Sequence, residues 1–540
     1  MFRTAGFLLV GTALAIAGCA APQQAGQAAD GGGKPTHGGV LNARSPNDPN
    51  SWDLSQKGDL EPDRTVLAAS YDSLLGFRAG PDTDYTALVI RPELAERWEV
   101  SPDATTFTFH LRKGVKFADL PPVNGRELTA ADVKWSFEYW ARIGEVKDKK
   151  LPKNFFDWLL EGLQSVEARD PSTVVMRFQD PFAPFLNYSA HDFLHVVPRE
   201  IFEQDGHYKG RVAGSGPFQL DAAASQKGSR WVLKKNPNYW QPGKPYLDEV
   251  RILIIPDDST SLTALQVGQL DVHKAVQFRE GRDLQARAPH LVMFEHLRGS
   301  PVHLYINNSK PPFDNFNVRK AVSLAIDRED FVTTLTGGKG GWALAGAFPD
   351  TFTQEEIRKL LRYDPEEAKR LLREAGYPQG LSVEFEYPTD RDRSYIVDME
   401  LLQAQLRKVG VNLLPKGLDF VEYSTKKKLH THSMNSSGKS VLADVDSYLY
   451  AIFHPSSSNN YDLVNDPTLN RLLEAQRREP DPAKRREIVR DAVRYLNVEC
   501  YCGMALYVRS EFDVWNPRLK NYQPNFNVNG WAVTDSWLEK

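Results

Sequence analysis

From about residue 38 onward, strand-like and helix-like signals alternate along this chain with no long internal repeat. That order constrains the fold most, because a bundle or a sandwich needs runs of one kind of element. Phe107, Phe109 and Leu111 alternate with Thr106, Thr108 and His110, the period-two pattern of a half-buried strand. Thr129 then reads as an N-cap with Asp132 three residues on, and Val133, Phe137 and Trp140 follow at helical spacing. Asn317 to Asp327 predicts a helix that buries Val318, Ala321, Val322 and Ala325. Another is framed by Asp364 as cap, Pro365 in the first turn, Glu367 closing a capping box and Gly376 as the stop. A further helix starts at Asp481-Pro482 and turns Ile488, Val489, Ala492, Val493 and Leu496 inward. The expectation is an α/β, or mixed α+β, body.

Size and charge narrow the class. A chain of 540 residues suggests about three domains or lobes. With 41% hydrophobic and 25% charged residues it can build a large core, so disorder is not expected. The net charge of −4 comes without a basic stripe, so nucleic acid is not an expected partner. Cysteines are too few for a disulfide framework. Cys500 and Cys502 lie too close in sequence for a strain-free bridge and cannot make a four-ligand zinc site. Buried thiols on a core strand are expected there.

The N-terminus carries Arg3, an apolar stretch from Gly6 to Ala17, and then Ile16-Ala17-Gly18-Cys19. The apolar run is too short for a retained membrane span. These residues resemble a bacterial lipoprotein signal with its lipobox. The resemblance implies cleavage after residue 18, lipidation of Cys19, and anchoring of the exported chain at the periplasmic or cell surface. Residues 19–37, rich in Ala, Gln and Gly, read as a flexible tether.

Farther on, a series of motifs keeps a fixed order. Pro92 to Asp103 is followed by Phe107-Thr-Phe-His-Leu-Arg112-Lys-Gly114-Val-Lys-Phe117 and Thr129-Ala-Ala-Asp132-Val133. Gly214-Ser-Gly-Pro-Phe218, Asn236-Pro-Asn-Tyr239-Trp240, Pro245-Tyr-Leu-Asp248, Val318-Arg-Lys-Ala321, Ala325-Ile-Asp327-Arg328, Tyr363-Asp-Pro-Glu366 and Glu374-Ala-Gly376-Tyr377 come after them. Their sequence resembles the family 5 extracellular solute-binding proteins, the oligopeptide-, dipeptide- and nickel-binding components of ABC importers. The resemblance implies a two-lobed periplasmic-binding-protein fold with a hinge of two crossing strands and an additional inserted domain. Lobe I would comprise residues 38–75, 212–295 and 500–540. The additional domain would be 76–211, and lobe II 296–499. Most of the motif residues, Trp98 and the Gly214 turn included, read as builders of the fold.

The same resemblance places ligand contacts in two segments. One holds Lys57, Gly58 and Asp59. The other runs from Ser436 to Asp446 and includes Ser440, Leu442, Asp444 and Asp446. Asp444 matches the family aspartate that holds a peptide ammonium, with Asp446 as the neighbouring alternative. Val441 stands where a tryptophan is expected. A desolvated carboxylate suits an ammonium, and a strand edge could hold the peptide main chain. Equally, either aspartate could cap the helix expected at Tyr448 to Phe453.

Other groupings carry less. His430-Thr431-His432 would put two imidazoles on one strand face without a third metal ligand. Lys426-Lys427-Lys428 reads as a solvated run. Gly214-Ser215-Gly216 lacks the frame of a nucleophile elbow. Trp231, Trp240, Trp342, Trp515, Trp531 and Trp537 read mostly as core. No catalytic set, metal or cofactor is expected. The expected role is therefore capture of a small molecule or short peptide by a monomer, with delivery to ABC permease and ATPase subunits. The alternatives are an oligosaccharide, nickel chelate or other metabolite as the solute, or an exported hydrolase.

Overall fold

The computed structural model describes residues 33–49, 51–53, 55, 61–154, 156–390, 394–438, 442–522, 525–526 and 533–540. Cys19 lies outside them. Three large sheets organise these residues. A seven-stranded mixed sheet runs Val292–Leu297, Ser510–Trp515, Val272–Gln277, Val40–Ser45, Glu249–Ile254, Arg230–Lys235 and Phe218–Leu220. Val40–Ser45 lies parallel to Glu249–Ile254 at its centre, while Ser510–Trp515 runs antiparallel between Val272–Gln277 and Val292–Leu297.

A second sheet of five strands runs Val411–Leu418, Leu381–Pro388, Met434–Gly438, Val302–Ile306 and Met504–Ala505. Two short segments join it to the first sheet, residues 298–301 and residues 506–509. They are bonded to each other where the Arg298 N–H donates to the Arg509 carbonyl at 2.9 Å. The third sheet is antiparallel, with order Ala95–Val100, Thr106–Leu111, Thr173–Phe178 and Leu163–Asp170. The fold is α/β with mixed strand directions.

Local chemistry explains the elements. Thr106–Leu111 buries every second residue. The Ala130–Ala141 helix begins where Asp132 accepts the Thr129 N–H at 2.9 Å. Pro365–Glu374 starts from the Asp364 carboxylate, which accepts the Glu367 N–H at 2.9 Å. Pro482–Arg494 starts from Asp481 in the same way, with Val489, Ala492 and Val493 buried. The helix expected at 317–327 spans Phe316–Ala325.

Three expectations need correction. Cys500 and Cys502 are joined to each other as a disulfide, and they lie in the turn before Met504–Ala505, not on a core strand. Tyr501 between them turns the chain with a φ of 50°. His430 and His432 sit in the loop before Met434–Gly438 and not on a strand, because the Phe420–Lys428 helix ends only two residues earlier. Among the tryptophans, Trp515 and Trp537 are core, whereas Trp231, Trp240 and Trp342 are half-buried, and Trp531 lies outside the described residues.

The sequence motifs meet in space around Asp72. Asn236 donates through Nδ2 to the Gly216 carbonyl at 2.8 Å, and the Gly216 N–H reaches the Ser70 carbonyl at 3.0 Å. A Cβ on Gly214 or Gly216 would collide with the backbone of Ser70, so only glycine fits this close approach. Ser215 Oγ and Trp240 Nε1 both donate to Asp72 Oδ2, at 2.8 and 3.2 Å. Burial pushes the Asp72 carboxyl up to about 7, and the Glu93 carboxyl adds to the rise. These residues pin the Gly214–Gly216 turn against the end of the Glu61–Ser70 helix.

Candidate ligand-binding site

Lys57, Gly58, Asp59 and Ser440 lie outside the described residues, as does Val441. Leu442, Asp444 and Asp446 can be placed. They follow Met434–Gly438 and lead into the Asp446–Phe453 helix. Leu442 is buried, and its N–H donates to Ser447 Oγ at 2.9 Å. Asp444 Oδ1 accepts the Asp446 N–H at 2.9 Å, so it seats the first turn of that helix.

Both carboxylates are buried and have partners within the protein. Arg485 grips Asp444 with two hydrogen bonds, at 2.9 Å to Oδ2 and 2.5 Å to Oδ1, while Asn187 Nδ2 donates to Oδ2 at 2.8 Å. Such a bidentate fork is the strong form of a charge-assisted bond. Asp446 accepts from the Tyr188 hydroxyl at 2.7 Å, Arg477 Nε at 3.1 Å, and Gln476 Nε2. Arg477 then reaches across to Glu161 at 2.5 Å and the Trp158 carbonyl at 2.7 Å, its guanidinium stacked 3.7 Å from the Tyr450 ring centre.

Burial alone would raise both carboxyls. The Arg485 guanidinium reverses this for Asp444 and holds it below its ordinary value. Asp446 stays above its ordinary value, since burial and the nearby Asp444 charge outweigh Arg477.

Five members of this cluster, Glu161, Asn187, Tyr188, Arg477 and Arg485, had no visible local signal. Arg477 and Arg485 look like ordinary surface charges on polar helices. Their partners lie tens to hundreds of residues away, where no spacing rule operates.

The basic run also departs from expectation. Lys426 pairs with buried Glu386 at 3.0 Å. Lys427 places its ammonium 4.4 Å from the Tyr305 ring centre and 5.3 Å from those of Tyr423 and Tyr461, and donates to Ser437 Oγ at 3.2 Å. Two of the three lysines therefore turn to partners within the protein, while Lys428 is exposed as expected. The helix that carries them lies on the five-stranded sheet and turns Lys426 and Lys427 toward it. Among the described residues no group of three acidic, histidine or cysteine side chains is placed to hold a metal ion.

Comparison with known proteins agrees with this architecture. A model of the bacterial extracellular solute-binding proteins, family 5 Middle, matches residues 89–460, and the chain belongs to that family of ABC-importer solute-binding proteins. Heme-binding protein A of Haemophilus influenzae is 28% identical over 439 residues, 75% of each chain. The glutathione-binding protein GsiB of Escherichia coli K12 is 29% identical over 333 residues, 60% of each chain. Among solved structures, the periplasmic binding protein DppA of Helicobacter pylori, in complex with the peptide STSA, superposes with a TM-score of 0.80. It is 27% identical and the match covers 94% of this chain and 99% of that one. Among the described residues no helix is long and apolar enough to cross a membrane.

Proposed function

We propose that this chain is a lipid-anchored binding protein that captures short peptides by closing two lobes about a hinge and hands them to a membrane permease. It does so without catalysis, as the names of its relatives as binding proteins suggest. The observation that carries the peptide reading is the full-length likeness to the peptide complex of DppA. Closure follows from the layout: two sheets joined by two short segments can rotate, and a ligand that touches both shifts the population toward the closed form. In this reading Asp444 meets the ligand ammonium by exchanging part of its bond to Arg485, a swap of one charge-assisted pair for another. Peptide affinity then comes mainly from main-chain bonds.

A second reading keeps the transport role and replaces the peptide by another solute. It is favoured by the commitment of Asp444 to Arg485 and Asn187, by Val441 in place of tryptophan, and by the likeness to heme-binding protein A. Purification from the native host, with mass spectrometry of the co-purified solute, separates the two. A short peptide supports the first reading and any other solute the second. Scattering with and without that solute tests closure, and an unchanged radius of gyration at saturation rules it out.

A further inference from the structure

Where the two lobes join, a buried histidine lies between a carboxylate and a chain of aromatic rings. His296 is the penultimate residue of the Val292–Leu297 strand, two residues before the crossing segment 298–301, and Asp513 sits on the adjacent Ser510–Trp515 strand. His296 Nε2 lies 3.7 Å from Asp513 Oδ1, which also accepts the Ala275 N–H at 2.9 Å. Tyr85 stacks on the imidazole at 4.3 Å and 29°. The Tyr85 carbonyl accepts the Phe526 N–H at 3.1 Å, and the two rings are 6.0 Å apart.

Phe526 is the pivot. Its ring covers Gly299 within the crossing segment so closely that a Cβ there would stand 2.6 Å from it. On its other side it meets Phe348 at 5.2 Å, and Phe348 belongs to the helical core of the second lobe. A continuous path of side chains thus runs from a titratable group on the first sheet, over the crossing, to the second lobe.

We propose that His296 is a proton-operated lock on this hinge: the imidazolium holds Tyr85, and through it Phe526, over the crossing, and loss of the proton releases the lobes to swing apart. The protonated ring pairs with Asp513 and presents a cation to the Tyr85 face. The neutral ring does neither, and leaves Asp513 a buried carboxylate without that counter-charge. The charged groups facing the site are Asp513 and Glu511 from the neighbouring strand, Lys274 from the strand beyond, Arg298 from the crossing and the Tyr85 hydroxyl. Burial works against the imidazolium, yet Asp513 and Glu511 outweigh it and hold His296 above its ordinary value. The lock is therefore engaged at and below the ordinary histidine value and is lost as pH rises through the higher value of the folded protein.

The test is X-ray scattering of the ligand-free protein between about pH 5.5 and pH 9, a window that brackets the ordinary histidine value near 6.5. The wild-type radius of gyration should rise through a single-proton transition above that value. His296→Gln should sit at the wild-type high-pH radius throughout. Phe526→Ala should also lose the transition while its His296 imidazole still titrates by NMR, which a merely structural role for Phe526 in folding does not predict. A transition that persists in His296→Gln overturns the proposal. So does a wild-type radius that stays flat while the imidazole titrates.

Discussion

Residues 76–211 touch the rest of the molecule in two chemically opposite ways. Toward the seven-stranded sheet they share one continuous apolar core, in which Phe107, Phe109, Phe137 and Phe185 pack with Leu41, Ala43, Phe218 and Ile252. Toward the second lobe, Leu442, Ala443 and Ala451 join that core, but the seam is dominated by Asp444, Asp446, Arg477, Arg485 and Glu161. An apolar seam has no stable separated state, because opening it exposes its whole area to water. An ionic seam can separate, since hydration of the freed charges returns free energy close to what the pairs had contributed. In the closure proposed above, the ionic seam is the one expected to separate.

The largest effects come from breaking each seam at its centre. Phe185→Ala removes a fully buried ring that meets Phe107, Phe178 and Phe182 and should cost about 3–5 kcal/mol in urea unfolding. Arg477→Met leaves Asp446 and Glu161 without their cation and should cost about 3–5 kcal/mol as well. Scattering then tells the seams apart. Arg477→Met should raise the ligand-free radius of gyration and Phe185→Ala should not. Equal radii would mean that the ionic seam never opens.

The apolar seam contains a carboxylate whose hydrogen-bond donors are neutral, and this gives a pH signature. Asp72 has its folded value raised to about 7 from an ordinary 3.8. A raised acid contributes stability that is fully present below the unfolded value and is lost as pH rises through the folded one. Stability should therefore fall by on the order of 2–4 kcal/mol between about pH 4 and pH 8, since each tenfold change in proton affinity is worth roughly 1.4 kcal/mol. Asp72→Asn should flatten that slope in thermal melts. A slope that survives the substitution assigns it to Glu93 or another group.

What was legible in the sequence follows the same division. The Thr106–Leu111 strand and the Asp364 and Asp481 caps were readable because their signals are local, a period of two or a side chain three residues from its N–H. The ordered motifs gave the family because its fold is built from them, and Asn236, Gly216, Trp240 and Asp72 do meet. The ionic seam was not readable. Asp446 finds Arg477 across 31 residues and Tyr188 across 258, and nothing near any of them marks the pairing. The lysine run misled because three adjacent charges look solvated in any sequence window, whereas two of them turn inward onto Glu386 and the tyrosines.

A smaller effect sharpens the role of Asp444. Asp444→Asn keeps the shape and removes the charge, which leaves Arg485 with Gln476 as its remaining partner at 2.9 Å. Asn has one acceptor oxygen, so it keeps either the Asp446 N–H or the Asn187 amide, which meet different oxygens of Asp444, and the loss should be about 1–3 kcal/mol of folding stability. Calorimetry with the co-purified solute gives the second reading. Unchanged affinity makes Asp444 a seam residue alone, while a loss of affinity beyond the stability change places it on the ligand.

The smallest expected effect concerns Lys427. Lys427→Met keeps the aliphatic stem and deletes the ammonium, so the stem's packing survives while the attraction to Tyr305, Tyr423 and Tyr461 and the bond to Ser437 Oγ are lost. Partly buried cation–π contacts contribute about 0.5–2 kcal/mol, and the thermal stability should fall within that range. Tyr305→Leu removes the nearest ring, at 4.4 Å, but also costs packing that has nothing to do with the lysine. A double-mutant cycle isolates the shared part. A coupling of about 0.5 kcal/mol or more between Lys427→Met and Tyr305→Leu makes this lysine an anchor of the helix on the sheet. Additive losses would mean that the ammonium gains nothing from the rings, and that its position follows from the helix alone.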